Sequence, residues 1–232
     1  LVLLFFSYFF LFIKHNVAND STISEWLINY EGGFTKRGLI GQFAIELSRI
    51  FESNLRWIIF LLQSFTCTVY FFLLFVFLEK LKFERIIILS IFTPIFILYP
   101  IAEIEVLARK EVLVFSLYIT YLMIPRDSKF KFFSLTIFSF LSVLIWEPII
   151  FFFPLIIILE IIENNIEKIN FIFFKIILSF IPSLLVVFFI IMFPLDIDEH
   201  KSMALILKQE FGEDCYMSCN LLISKSSLLQ QF

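Results

Sequence analysis

The stretch YEGGFTKRGLIG, residues 30–41, holds four of the chain's five glycines: Gly32, Gly33, Gly38 and Gly41. They surround one carboxylate, Glu31, and two adjacent cations, Lys36 and Arg37. Glycine permits positive φ and close approach of backbone to another group. A glycine-rich turn ahead of a helix exposes N–H groups that attract anions, and arginine suits bidentate phosphate recognition. These residue types point to a phosphate-bearing substrate bound by Gly32, Gly33, Lys36 and Arg37, with Glu31 as a base or a ligand for a sugar hydroxyl. The plainer alternative is a tight turn that lowers a helix onto a membrane, its cations touching lipid phosphates. The phosphate-loop signature GxxxxGK[ST] is absent.

Two other clusters carry chemistry. In ARKEVL, residues 108–113, Arg109 and Lys110 stand at the start of an apolar segment beside Glu111, with Glu103 and Glu105 just before. They are either snorkelling cations or anion ligands. Positive charge on an outer boundary opposes the usual loop bias, which favours the second reading. In Trp146-Glu147-Pro148 a carboxylate interrupts an apolar run, and a carboxylate at membrane depth is a functional candidate whose partner should be an arginine. Glu31 and Glu147 are therefore the candidate catalytic carboxylates. His15 and His200 are isolated and not at metal-ligand spacing, so neither a metal site nor a cofactor is expected. Cys67 lies in an apolar segment, whereas Cys215 and Cys219 sit four apart in a polar one. The latter two either pair in an oxidising compartment or occupy successive helical turns as free thiols.

The elements that must position these residues are apolar. The chain is 60% hydrophobic, with mean hydropathy +0.96 and 35 phenylalanines in 232 residues, too much large apolar surface for a water-soluble domain to bury. Runs such as FFLLFVF do not alternate as a membrane β-barrel requires. The expected fold is all-α: one polytopic transmembrane domain over 1–232, a fragment with about six or seven membrane segments, several of them long enough to cross a bilayer, which takes roughly 20 apolar residues. The segments are 1–13, 57–78, 85–101, 107–125, 132–146, 148–162 and 170–194. A net charge of −3 gives no reason to expect nucleic acid. Membrane lipids are the expected surroundings.

Short basic loops at 79–85 and 126–131 read as cytoplasmic. The long segment 14–56, the turn 102–111 and the polar stretch 195–232 then face outward. A single helix over 132–162 would be about 46 Å long, beyond the ~30 Å hydrocarbon core, and Pro148 breaks its hydrogen-bond ladder. Two short segments meeting at Glu147 on the outer side are expected, so that Glu147 joins Arg37, Arg109 and Lys110. Within 14–56, apolar Leu39, Ile40, Phe43, Ala44, Leu47, Ile50 and Phe51 fall at helical spacing, predicting an interfacial amphipathic helix over 39–51.

The motif YEGGFTKRGLIG, the RKE at 109–111 and the carboxylate opening WEPIIFFFP (146–154) together resemble bacterial multi-pass proteins of cell-surface polysaccharide loci. These include O-antigen polymerases and the multi-pass lipid-linked-sugar glycosyltransferases of GT-C type. Trp146 stands where a histidine is expected. The resemblance implies a bacterial cytoplasmic (inner) membrane protein, a polyprenyl-phosphate-linked sugar as substrate, and glycosyl transfer on the outer face. It implies cations on the lipid phosphate (Lys36, Arg37, Arg109, Lys110) and a carboxylate base (Glu31 or Glu147). The alternatives are a transporter or flippase for a lipid-linked or anionic substrate, and a non-catalytic membrane subunit.

Overall fold

The computed structural model describes residues 2–17, 20–80, 106–125, 128, 130–163, 169–220 and 222. Every regular element among them is helical: α1 (Val2–His15), α2 (Ser21–Trp26), α3 (Gly38–Ile50), α4 (Leu55–Glu79), α5 (Glu111–Leu122), α6 (Lys131–Ile145), a 3₁₀ turn (Glu147–Phe152), α7 (Phe153–Glu163), α8 (Ile169–Met192), α9 (Ile197–Phe211) and α10 (Met217–Asn220). The expected segment 85–101 lies outside the described residues.

Local signals place the helix ends. Asp20 caps α2 by accepting from the Thr22 and Ile23 amides at 2.9 and 3.1 Å, and Asn54 caps α4 by accepting from the Arg56 amide at 2.8 Å. A reciprocal Asp196–Glu199 capping box opens α9. The chain breaks at Trp146, whose backbone turns extended (φ −155°, ψ 95°) ahead of Pro148. Two helices then run antiparallel. Lys131 at the start of α6 meets Glu160 near the end of α7 at 2.9 Å, a contact that only a hairpin permits. The expected hairpin at Glu147 is therefore what forms. Serines let α6 and α8 approach closely, with Ser183 Oγ donating to Ser139 Oγ at 2.8 Å.

The polar segments gather at one end of the helices. Ile23, Trp26 and Ile28, Ala44 and Ile45 of α3, Leu55 and Ile59 of α4, and Met203, Leu207 and Cys219 form one buried core. Residues 20–59 and 197–220 thus build a packed cap. Its seam explains the glycines. A Cβ on Gly41 would lie 1.9 Å from the Ile28 carbonyl oxygen, and one on Gly32 would lie 2.0 Å from that of Glu199. The expected helix 39–51 is present as α3, but its inner face is the small-residue one, Gly38, Gly41, Ala44, Ile45 and Ser48. Phe43, Ile50 and Phe51 are left exposed.

Below the cap, Leu55–Glu79 and Phe173–Met192 are long and apolar enough to cross a membrane, whereas α1, α5 and α6 are apolar but shorter. Large apolar side chains cover their outer faces, among them Phe65, Phe72 and Phe75 of α4 and Phe174, Phe188 and Phe189 of α8. Contiguous apolar surface of this kind marks contact with lipid or protein. The expected six or seven crossings rest on the shorter helices and on residues outside those described.

Gly41→Ala is expected to lower stability by about 1–3 kcal/mol through overpacking against backbone, read as earlier thermal unfolding in detergent. Gly212→Ala has open space around its Cβ and carries only the left-handed backbone cost of about 1–2 kcal/mol. A larger loss at Gly212 than at Gly41 would contradict the packed seam.

Candidate functional site

Five charged side chains form a chain of ion pairs where the cap meets the helices. Arg37 donates from Nε to Glu147 Oε2 at 2.8 Å and from Nη2 to Glu147 Oε1 at 3.1 Å. Its Nη1 reaches Glu25 Oε1 at 3.2 Å. The second oxygen of Glu25 accepts from Arg109 Nε at 3.2 Å, and Arg109 Nη2 meets Glu111 Oε1 at 3.1 Å. The order is Glu147–Arg37–Glu25–Arg109–Glu111. Glu25 is 1% exposed, and each of its oxygens holds one guanidinium. Geometry of this kind compensates the desolvation of buried charge.

Backbone strain aims the groups. Arg37 occupies the left-handed region (φ 62°) at the N-cap of α3, and Ala108 does the same (φ 56°) just before Arg109. Such conformations persist only where surrounding contacts over-determine them. Lys110 Nζ donates to the Arg37 carbonyl at 2.5 Å, and Trp26 Nε1 donates to the Ala108 carbonyl at 3.0 Å. Each strained residue is thus held by a buried donor.

Arg37, Arg109, Lys110 and Glu147 converge as expected from the sequence, while Glu31 joins a different network. Arg49 donates to both its oxygens, at 2.8 and 3.2 Å, and Gln42 donates at 2.8 Å. The Arg49 hydrogen bond holds the Glu31 carboxyl below its ordinary value, which makes it a weak base. Glu31 is a strut between α3 and Glu210 of α9, which Arg49 also binds. Gly32 and Gly33 are likewise not anion ligands in this arrangement. α9 fills their space, and a Cβ on Gly33 would lie 3.1 Å from the Glu199 carboxylate, a neighbour that repels phosphate. Lys110 is fully buried and braces backbone rather than facing solvent.

Glu25 was missed. It lies in the six-residue helix STISEW, too short for a periodic signal, and its only mark is a carboxylate next to Trp26. Arg49 was read as part of the polar face of α3.

Beside the ionic chain a groove of about 200 Å³ opens between the 3₁₀ turn and α8. Lys36, Arg37 and Glu147 form its polar end, and Pro148, Ile150, Phe151, Val187, Ile190 and Ile191 line the rest. Lys36 makes no ion pair among the described residues. The site is sunk well below the top of the cap. Tyr70 of α4 packs with Val112 of α5, fifteen residues from the start of α4, so α5 begins about 20 Å down that helix at 1.5 Å per residue.

No family model matches the chain, and no curated protein or solved structure is similar to it.

Replacing Glu25 with Gln leaves two guanidiniums without their shared anion. Removing one partner of a buried pair costs about 3–5 kcal/mol, lowered here because Arg109 is about one-third exposed. Glu25→Gln is expected to destabilise the chain by about 2–4 kcal/mol, well beyond Glu31→Gln in the same thermal assay.

Proposed function

We propose that the chain is a polytopic membrane protein that handles a polyprenyl-phosphate-linked sugar at the outer face of a bacterial cytoplasmic membrane, in glycosyl transfer or polymerisation for surface polysaccharide. The observation that carries this reading is the two-part groove: cations and a carboxylate at one end, an apolar wall along the rest. A lipid phosphate has the same two parts. A groove of this size takes the phosphate and the first carbons of the lipid, with the sugar lying outward. The resemblance of YEGGFTKRGLIG, RKE and WEPIIFFFP to the polysaccharide proteins named above supports it, as do the two spans and the exposed apolar belt.

Arg37 has Nε and one N–H of each Nη engaged by Glu147 and Glu25, so an arriving phosphate that takes the Nε and Nη2 donors competes with Glu147. Lys36, which makes no ion pair among the described residues, supplies the first attraction. Displacement frees Glu147 beside the anion it has just yielded to. Glu147 then accepts the proton of the acceptor hydroxyl as the acceptor oxygen bonds to the sugar's anomeric carbon. The bond from that carbon to the phosphate oxygen breaks, and its electron pair leaves on the lipid phosphate, stabilised by Lys36 and Arg37.

One observation favours transport instead. Lys131, Glu160 and Tyr121 form a buried ionic group at the far end of the α6–α7 hairpin, with Tyr121 Oη donating to Glu160 at 2.5 Å. Ionisable groups buried within membrane helices mark substrate and ion pathways, and this one lies away from the groove.

In nanodiscs, Lys36→Ala should weaken polyprenyl-phosphate binding about tenfold, the loss of one charge-assisted contact worth about 1.5 kcal/mol, with unchanged thermal stability. Glu147→Gln should retain binding and abolish sugar transfer to added acceptor. Unchanged binding in Lys36→Ala would sink the groove assignment. Movement of labelled lipid across the bilayer without transfer would select the transporter.

A further inference from the structure

A second cluster lies in the cap, independent of the groove. The Cys215–Cys219 pair, read from sequence either as free thiols or as a bond, is a disulfide. His200 of α9 stands over it, with Nε2 3.3 Å from Cys215 Sγ and 3.1 Å from the Cys219 carbonyl oxygen. The Sγ atoms and an imidazole nitrogen all lie within 4.8 Å of one another. The ring is buried, Cys219 is fully buried and Cys215 is partly exposed. The turn after α9 brings Cys215 and Cys219 back to His200, a proximity that the spacing of the three residues in the sequence does not show.

We propose that His200, Cys215 and Cys219 form a redox-gated site for a soft divalent ion such as Zn²⁺, with the disulfide as its closed form and the dithiol as its ion-binding form. The geometry suits the exchange. Zinc lies about 2.3 Å from thiolate sulfur and about 2.0 Å from imidazole nitrogen, so tetrahedral ligands sit about 3.5–3.8 Å apart. The Cys215 Sγ to His200 Nε2 distance is already close to that, and the two Cα atoms, 5.3 Å apart, need only side-chain rotation to part the sulfurs. Three protein ligands leave a fourth position for water, on the side where Cys215 is open.

The site is held from outside itself. Ser24 Oγ donates to the Tyr216 carbonyl and accepts from the Cys219 amide at 3.3 Å. Arg56 clasps Glu213 through two bonds of 2.9 Å. Opening the disulfide therefore leaves the segment anchored, with its ligands still near His200.

The chemistry balances as follows. A thiol or phosphine reductant attacks the accessible Cys215 Sγ, the S–S bond breaks, and its electron pair leaves on Cys219. With a thiol, a second thiol then attacks the mixed disulfide, frees the Cys215 thiol and leaves as the reductant's disulfide. With a phosphine, water then releases the Cys215 thiol and the phosphine becomes its oxide. Binding the ion expels two thiol protons. His200 moves its own proton to Nδ1, so that Nε2, now bonded to the Cys219 carbonyl, offers a lone pair.

The test uses the whole chain in detergent on a Cys67→Ser background. It is reduced with a phosphine, freed of excess reductant and titrated with Co²⁺ alone, then with Zn²⁺. The expected result is one Co²⁺ per chain, seen as sulfur-to-cobalt charge transfer and intense tetrahedral d–d bands, both abolished by Zn²⁺. The unreduced chain, identical in fold, should show neither. Cys219→Ser should lose the charge-transfer band, and His200→Ala should lose the tetrahedral intensity. Absence of the bands in the reduced chain, or equal bands before reduction, overturns the proposal. Neither outcome bears on lipid-phosphate binding by Lys36 and Arg37, which is measured separately.

Discussion

The carboxylate of Glu25 is the constraint on which the rest of this structure depends. Buried where the cap meets the helices, it binds Arg37 with one oxygen and Arg109 with the other. A lone buried carboxylate costs several kcal/mol in lost hydration, so α2 takes this position only when both arginines arrive. Arg37 comes from the turn ahead of α3 and Arg109 from the turn ahead of α5. Arg37 then draws in Glu147 from the hairpin. Four segments remote in sequence are thus fixed to one another by one anion and the cations it orders. Counting Glu25, Glu111 and Glu147 against Arg37 and Arg109 leaves one negative charge in excess, and Lys110 sits where it offsets that charge only when protonated.

The strained backbone at Arg37 and Ala108 follows from the same demand. The ionic chain requires two guanidiniums to point inward from turns that immediately precede helices. A residue entering a helix from the left-handed region redirects its side chain toward the bundle, at a cost of about 1–3 kcal/mol. Lys110 and Trp26 oppose that cost with hydrogen bonds to the carbonyls concerned. Glycine would remove the strain at either position but also the cation at Arg37. The glycines of the same stretch serve a different purpose: they let α3 and the preceding turn touch Ile28, Tyr30 and Glu199 without a Cβ between.

Much of this was legible in the residues, and the failures have physical causes. The all-helical class, the helix of residues 39–51 and the hairpin at Trp146-Glu147-Pro148 follow from periodicity, length and proline's missing donor. The meeting of Arg37, Arg109 and Glu147 follows from charges that need partners in an apolar chain. Glu31 misled because neighbours along the chain were taken for neighbours in space: the turn at Gly32 and Gly33 points it toward Arg49 instead. Glu25 was invisible because a carboxylate acquires meaning only from its burial, and a six-residue helix has no face to read. The cysteine pair left two readings open, since four-residue spacing serves a helix turn as well as a disulfide.

The lengths of the helices and the depth of the site are two views of one fact. α4, at 25 residues, extends about 37 Å, whereas α5 and α6, at 12 and 15 residues, extend about 18 and 22 Å. Both shorter helices have one end at the ionic chain: α5 begins beside Lys110 and Glu111, and α6 ends at Trp146, next to Glu147. Setting these charges where the cap meets the helices strengthens their mutual attraction, because the surrounding dielectric falls, and limits access from outside to openings between the elements. The groove between the 3₁₀ turn and α8 is one of them, and its walls are apolar except where Lys36, Arg37 and Glu147 close its end. A ligand entering there must bring its own hydrocarbon to cover those walls and its own negative charge to contest Arg37. An amphiphile with an anionic head meets both requirements, and this is the ground on which a lipid phosphate is proposed as the ligand in preference to a sugar or free phosphate.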